Sequence, residues 1–192
     1  MNKILLIGAG GHCKSCIDVI EQQGLYQIAG IIDKEVANET TVLGYPVIGS
    51  DESLADLRQK YDYALVTIGQ VKTPELKVKL FSRLVALGYN IPTIISPLAY
   101  VSKHAKIGRG TIVMHHALVN AGAGIGENCI INSKALVEHD VQVGNNCHIS
   151  TGAVINGNVK VSDHSFIGSQ ATTKQGVVIL EKSFIKAGSV VK

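Results

Sequence analysis

From Val101 onward an aliphatic side chain recurs at every sixth residue, through Ile107, Val113, Val119, Ile125 and Ile131, as far as Val191. Of these sixteen positions only Thr173 is not aliphatic. Two residues before each one stands a mostly small side chain, as at Ala99, Ala105, Ala117, Ala123, Cys129, Ala135, Cys147 and Ala153. A period of six with two inward positions matches neither the 3.6-residue turn of a helix nor the alternation of a free strand. It predicts short strands that turn a corner every six residues, three to a coil, stacked into a triangular prism. Residues eighteen apart then stack, and the outward positions sort into three faces. The first carries Tyr100, Leu118, Leu136, Val154, Thr172 and Val190. The second is mostly polar, with Lys106, Gly124, Gln142, Lys160 and Val178, and the third carries Ile112, Ile130, His148, Phe166 and Phe184.

The first half of the chain follows a different rhythm. Lys3–Ile7 is an apolar run without alternation, as for a strand buried on both faces. Gly8-Ala9-Gly10-Gly11-His12 follows, then a helical pattern through Ile17, Val19 and Ile20 that stops at Gly24. Strand, glycine turn and helix together present backbone N–H groups to a phosphate, although Cys13 stands at the third glycine position of G-x-G-x-x-G. Tyr26–Ile32 reads as the next strand, closed by Asp33, which lies 23 residues after Gly10, where an acidic side chain reaches a ribose or base edge. Gly44–Gly49 is a connection or edge strand. Ser50 caps a predicted helix from Asp51 to Lys60, and Tyr63–Ile68 is a strand ending at Gly69. Thr73-Pro74 starts a helix that Gly88 stops, and Ile91–Ile95 is a last strand. Strands alternating with helices imply a small parallel sheet, with Gly8–His12, Asp33 and Gly69 converging at the carboxyl ends of its strands on one pocket. The expected division is residues 1–97 and 98–192.

Composition narrows the range of functions. With 192 residues and a formal net charge of +3, the chain has no block of like charge to suggest a nucleic-acid arm or a membrane patch. No stretch is long and apolar enough to span a bilayer, and no secretory cleavage pattern follows the first apolar run, so the expectation is a cytoplasmic protein. Of four cysteines, Cys129 and Cys147 fall on the inward beat of adjacent coils. Cys13 and Cys16 form a lone C-x-x-C at the start of a helix, where packing is favoured over a redox pair or half a zinc site.

Two apolar outer faces on one prism mark an interface. The first face of one copy against the third face of the next closes a ring, and the reading is a homotrimer. His139 lies at the corner that follows the first face, between Glu138 and Asp140, and His148 lies on the third face, so the seam brings two histidines together. Flanking carboxylates fix the tautomer of a histidine and favour its use as a general base. His115 and His116 fall at the corner nearest the three-fold axis as packing residues, and His104 and His164 at solvated corners.

The hexad beat, GAGGH after the first strand, Leu136-Val-Glu-His-Asp, His148 and Gly157-Asn-Val-Lys together resemble the PglD/NeuD-type sugar acyltransferases. The resemblance covers nearly the whole chain. It implies an α/β Rossmann-like nucleotide-sugar domain joined to a left-handed parallel β-helix, with acetyl transfer from acetyl-CoA to a sugar, no metal, and active sites between the subunits of a trimer. It also implies His139 as the catalytic base, Asp140 as the acid that raises its basicity, and His148, Ser169 and Ala187 as acetyl-CoA contacts. Gly10, Gly11, His12, Asp33 and Gly69 match the nucleotide-sugar pocket and Asn132 a sugar contact. Lys34 stands where some members carry a second acid, and Gly-Ser-Val-Val-Lys192 replaces the usual G-V-P-A-like tail. The leading expectation is N-acetylation of a UDP-linked 4-amino sugar, with a backbone N–H or His148 stabilising the oxyanion. O-acetylation of a sialic-acid-type sugar is the alternative. A metal-dependent hydratase and a non-catalytic nucleotide-sugar sensor are readings of other classes.

Overall fold

The computed structural model describes residues 1–34, 41–70 and 73–192. The chain divides into two compact units: Met1–Gly69 with Glu75–Pro92, and Gln70–Pro74 with Thr93–Lys192.

The first unit is built on β1 (Asn2–Ile7), α1 (Gly11–Gln23), β2 (Tyr26–Ile32), β3 (Thr41–Val42), β4 (Tyr45–Gly49), α2 (Leu54–Leu57), β5 (Tyr63–Val66) and α3 (Glu75–Ala86). Its sheet runs β3-β4-β2-β1-β5, parallel except for the short β3 at one edge, which pairs antiparallel with β4. β1 lies between β2 and β5, and Ile4, Leu5, Leu6 and Ile7 are fully buried, which is why its sequence does not alternate. α1 stops where the sequence requires it, at Gly24, whose φ of 67° lets its N–H return to Ile20 O at 3.0 Å.

Two expectations for this unit fail for physical reasons. The helix predicted over 51–60 is a 3-10 turn at Asp51–Ser53 followed by only Leu54–Leu57, and Ser50 makes no side-chain cap. Leu54 is the one buried residue of that segment, too little packing to sustain a longer helix. The strand read at Ile91–Ile95 is divided by Pro92, which has no N–H to donate to a ladder. Ile91 packs into the core of the first unit, whereas Ile94–Ile95 pairs with Ile112–Val113 as the first rung of the prism.

The second unit is the left-handed β-helix. Among the described residues its two-residue strands form three parallel sheets of six, five and six strands, stacked in the eighteen-residue register. The interior is one aliphatic column that includes Val119, Ile131, Val137, Ile149, Ile155 and Ile167, all fully buried. Cys129 and Cys147 stack within it, and the Cys147 N–H points at Cys129 Sγ at 3.4 Å. All four cysteines are buried and unbridged. Burial, then the neighbouring Cys13, pushes the Cys16 thiol well above its ordinary value of 9.0, with Lys77 acting the other way. A buried, protonated thiol is a packing residue rather than a nucleophile.

The three outer faces are those read from the sequence, but their exposure is not. Ile112, Ile130 and His148 of the third face are already 2%, 0% and 6% exposed in the single chain, whereas Phe184 is 53% exposed. The third face is therefore not a continuous free stripe. The first face is more open, with Tyr100 at 59% and Val190 at 66%.

Candidate active site

His139 and Asp140 form the corner that follows the first-face strand Leu136–Val137. Asp140 is held in the left-handed region at φ 58° by its N–H bond to Ala121 O at 3.1 Å, one coil earlier. That geometry turns its carboxylate toward the ring, and His139 Nδ1 lies 2.9 Å from Asp140 Oδ2. A carboxylate only accepts, so Nδ1 carries a proton, and in the neutral ring Nε2 presents the lone pair. This is the tautomer a general base needs. The two flanking acids differ: Glu138 Oε2 accepts from Asn120 Nδ2 at 2.9 Å and from the His139 backbone N–H at 3.3 Å, so it anchors the corner rather than the ring. Asn120 sits one coil below Glu138, a relation the eighteen-residue register already contained.

His148 is occupied on both sides. Its Nδ1 lies 2.6 Å from the carbonyl oxygen of Gln70 and must donate. Its Nε2 lies 3.1 Å from Asn132 Nδ2, and Asn132 Oδ1 is identified as the oxygen because it accepts the Ser133 N–H at 2.8 Å. Nε2 therefore accepts. The ring is neutral, 6% exposed, and packed edge-on against Phe166 with centroids 5.2 Å apart. With its one N–H given to Gln70, His148 has no donor left for an oxyanion, so of the two donors expected only a backbone N–H remains. Gln70 was missed because nothing in its own segment marks it. Its side of the contact is a main-chain carbonyl.

The predicted coenzyme contacts lie elsewhere on the prism. Ser169 and Ala187 are eighteen residues apart in one column, at the corner that follows the third-face strands Phe166–Ile167 and Phe184–Ile185. Ser169 Oγ is 3.0 Å from Ser150 Oγ, and Ala187 is exposed. Asn132 begins the same corner two coils below Ser169. His139 leaves from a different corner, so one chain does not bring the dyad and this column together.

In the first unit the glycine loop is tied down by Asp33, whose Oδ2 accepts the Ala9 N–H at 2.7 Å. Gly10 precedes α1 without a side-chain cap, no acidic residue occupies the first turn, and a Cβ at Gly10 or Gly11 would meet no atom within 4 Å. Internal packing thus does not account for these glycines, and the positive end of the helix is open to an anion. Asp33 and Gly8 line a cavity of about 90 Å³ with Ile32, Lys34, Ile68 and Leu76. Gly10, Gly11, His12 and Gly69 are not part of its wall. Gly69 lies against His12 instead, where a Cβ would stand 3.4 Å from His12 Cβ, so the convergence on one pocket resolves into two neighbouring groups. Among the described residues no group of three His, Cys, Asp or Glu side chains is placed to hold a metal ion.

No curated protein sequence matches the chain significantly. Residues 3–83 match the family described as PglD N-terminal domain, residues 122–157 the bacterial transferase hexapeptide (six repeats), and residues 158–192 the hexapeptide repeat of succinyl-transferase. Among solved structures, the acetyltransferase domain of PglB from Neisseria gonorrhoeae FA1090 in complex with acetyl coenzyme A is 31% identical, with a TM-score of 0.91 over 100% of this chain and 93% of that one. PerB from Caulobacter crescentus, in complex with CoA and GDP-perosamine, is 33% identical, with a TM-score of 0.92 over 100% of this chain and 89% of that one. WeeI from Acinetobacter baumannii AYE shares the fold at 22% identity, with a TM-score of 0.73 over 100% of this chain and 97% of that one. With identities above 30% across its full length and a matching N-terminal domain, the chain belongs to the PglD-type hexapeptide-repeat sugar acetyltransferases.

Proposed function

We propose that this protein transfers the acetyl group of acetyl-CoA to the amine of a UDP-linked 4-amino sugar of the bacillosamine type, for bacterial surface glycan biosynthesis. The observation that carries the reading is the His139–Asp140 dyad, with the proton on Nδ1 and the lone pair on Nε2. The sugar amine attacks the thioester carbonyl while His139 Nε2 takes a proton from it. Collapse of the tetrahedral adduct breaks the C–S bond, and the imidazolium returns its proton to the departing CoA thiolate. The products are the N-acetyl sugar and free CoA. Asp140 keeps the second ring nitrogen protonated throughout, and a backbone N–H is the oxyanion donor. The diphosphate is assigned to the open N-terminus of α1 at Gly10, Gly11 and His12, and the nucleoside to the apolar cavity beside Asp33 and Lys34. Asn132 keeps one amide hydrogen for a sugar hydroxyl after serving His148.

The working unit is a homotrimer. The apolar first face supports it, and so does the separation of the dyad from the Ser169–Ala187 column at different corners, which leaves each chain without a complete site. Mixing His139→Ala protein with Ser169→Arg protein, after dissociation and reassociation, should restore a share of the activity that neither has alone. No recovery would refute sites shared between copies.

The chemistry is tested by incubating the protein with acetyl-CoA and UDP-linked amino sugars, GDP-linked amino sugars and sialic acids, following free thiol. Turnover of a UDP-linked amine supports the reading. Preference for a GDP-linked amine corrects the nucleotide, and acetylation of a sialic-acid hydroxyl overturns the acceptor. His139→Ala should lower kcat by roughly 10²–10⁴. A variant within threefold of the parent would remove His139 as the base.

A further inference from the structure

His139 occupies a position of the repeat that recurs every six residues from Lys103 to Ala187, at the first residue of each corner. Fifteen residues fill it, and Gly157 alone has no side chain. The corner therefore accepts a side chain as small as Ala121 or as large as Arg109, and the backbone does not require glycine: Gly157 is not among the residues of positive φ. Gly157 lies one coil above His139, and the Asn158 N–H bonds to His139 O at 3.0 Å. A Cβ built on Gly157 would stand 2.7 Å from His139 Nε2, 2.8 Å from Cε1 and 3.3 Å from Cδ2. These ring atoms are the three nearest to it, so the space a side chain would fill is taken by the imidazole. Gly157 is itself buried.

We infer that Gly157 is a positioning residue for His139. Its absent side chain is the berth in which the ring lies, with Nδ1 on Asp140 and the Nε2 edge against bare backbone. A methyl group there leaves the ring nowhere to lie except by turning about χ1 or χ2, which draws Nδ1 off Asp140 and moves Nε2 from the place where it takes the proton. A displacement of about 1 Å is enough to cost on the order of 100-fold in rate. The inference rests on His139 being the base, but the contact itself does not.

The test is Gly157→Ala in two backgrounds, the parent protein and His139→Ala. In the parent, kcat should fall at least 30-fold while KM for acetyl-CoA stays within threefold, because the methyl moves the base and not the thioester. In His139→Ala the added methyl meets no ring, and the residual rate should change less than twofold. Alanine keeps the backbone N–H of residue 157, so the loss reads the methyl alone. A parent-background kcat within threefold of the unsubstituted protein overturns the inference, as does an equal loss in both backgrounds. Thermal unfolding gives a readout independent of turnover. Gly157→Ala should raise the midpoint in His139→Ala, where alanine fits an ordinary backbone and restricts the unfolded chain, and should lower it in the parent. The same sign in both would refute the steric contact. If the parent acetylates no acceptor at all, the functional reading fails while the thermal comparison still decides the contact.

Discussion

Asp140→Asn isolates the proton on His139 from everything else the corner does. Residue 140 sits at φ 58°, a conformation that asparagine adopts more readily than alanine, so the backbone survives the change. Asparagine is also nearly the same shape, and the contact of Asp140 Oδ1 over Gly122 is kept. What is lost is the charge and the certainty of the tautomer. Aspartate at 2.9 Å from Nδ1 only accepts, whereas an amide can turn its NH₂ toward Nδ1 and drive the proton to Nε2, which blocks the base. In the single chain the pair is 54% and 66% exposed, and such a bond in water contributes only about 0.2–1 kcal/mol to stability. Where bound substrate displaces water, a hydrogen bond to a charged group is worth about 1.5–3 kcal/mol. At about 1.4 kcal/mol per tenfold, that is roughly a 10- to 150-fold fall in kcat. The expected result is a kcat lowered within that range, with KM for both substrates within about twofold and an unfolding midpoint close to the parent, by thiol release and thermal scanning. More than a third of parental kcat would show that Asp140 does not hold the catalytic proton. A collapse of the midpoint would show that the carboxylate is structural.

Ile131→Asp places an unpaired charge in the fully buried column and should cost several kcal/mol, leaving little folded protein by circular dichroism. Asn132→Ala removes the hydrogen bond that His148 Nε2 accepts and should lower stability by about 0.5–1.5 kcal/mol in urea titration; an unchanged midpoint would refute that role for Asn132. The Cys16 thiol is raised by burial, so the folded chain holds its proton where the unfolded chain has lost it. Its contribution is complete below the ordinary thiol value of 9.0 and declines as pH rises beyond it, so the urea midpoint should fall between about pH 9 and 10, and less steeply in Cys16→Ala. The native protein should react with a thiol reagent only as fast as it unfolds, since all four cysteines are buried.

The β-helix was legible because its period is local and repeats. Every coil states the same rule, so the inward column, the three faces, the stacking of Cys129 on Cys147 and the place of His139 at a corner follow from counting residues. The same count contained Asn120 below Glu138 and the lone glycine at 157. In the first unit β1, α1 and β2 were legible from the apolar run, the glycine turn and Gly24. The short α2 was not, because helix length there depends on what Leu54 packs against. Pattern also failed where one apolar run served two cores, as at Ile91 and Ile94–Ile95.

What the sequence determined by itself is the fold class, the corner that carries His139 and its adjacency to Asp140, because these are relations between residues close along the chain or one coil apart. Tertiary structure alone decided the state of His148. Its partners, the carbonyl of Gln70 and the amide of Asn132, lie 78 and 16 residues away. A histidine's tautomer is set by which groups reach its two nitrogens, so no spacing in the chain could assign the proton. Tertiary structure likewise turned Gly157 from a break in a pattern into a berth, because only the three-dimensional path of the His139 ring shows what fills the missing side chain's place.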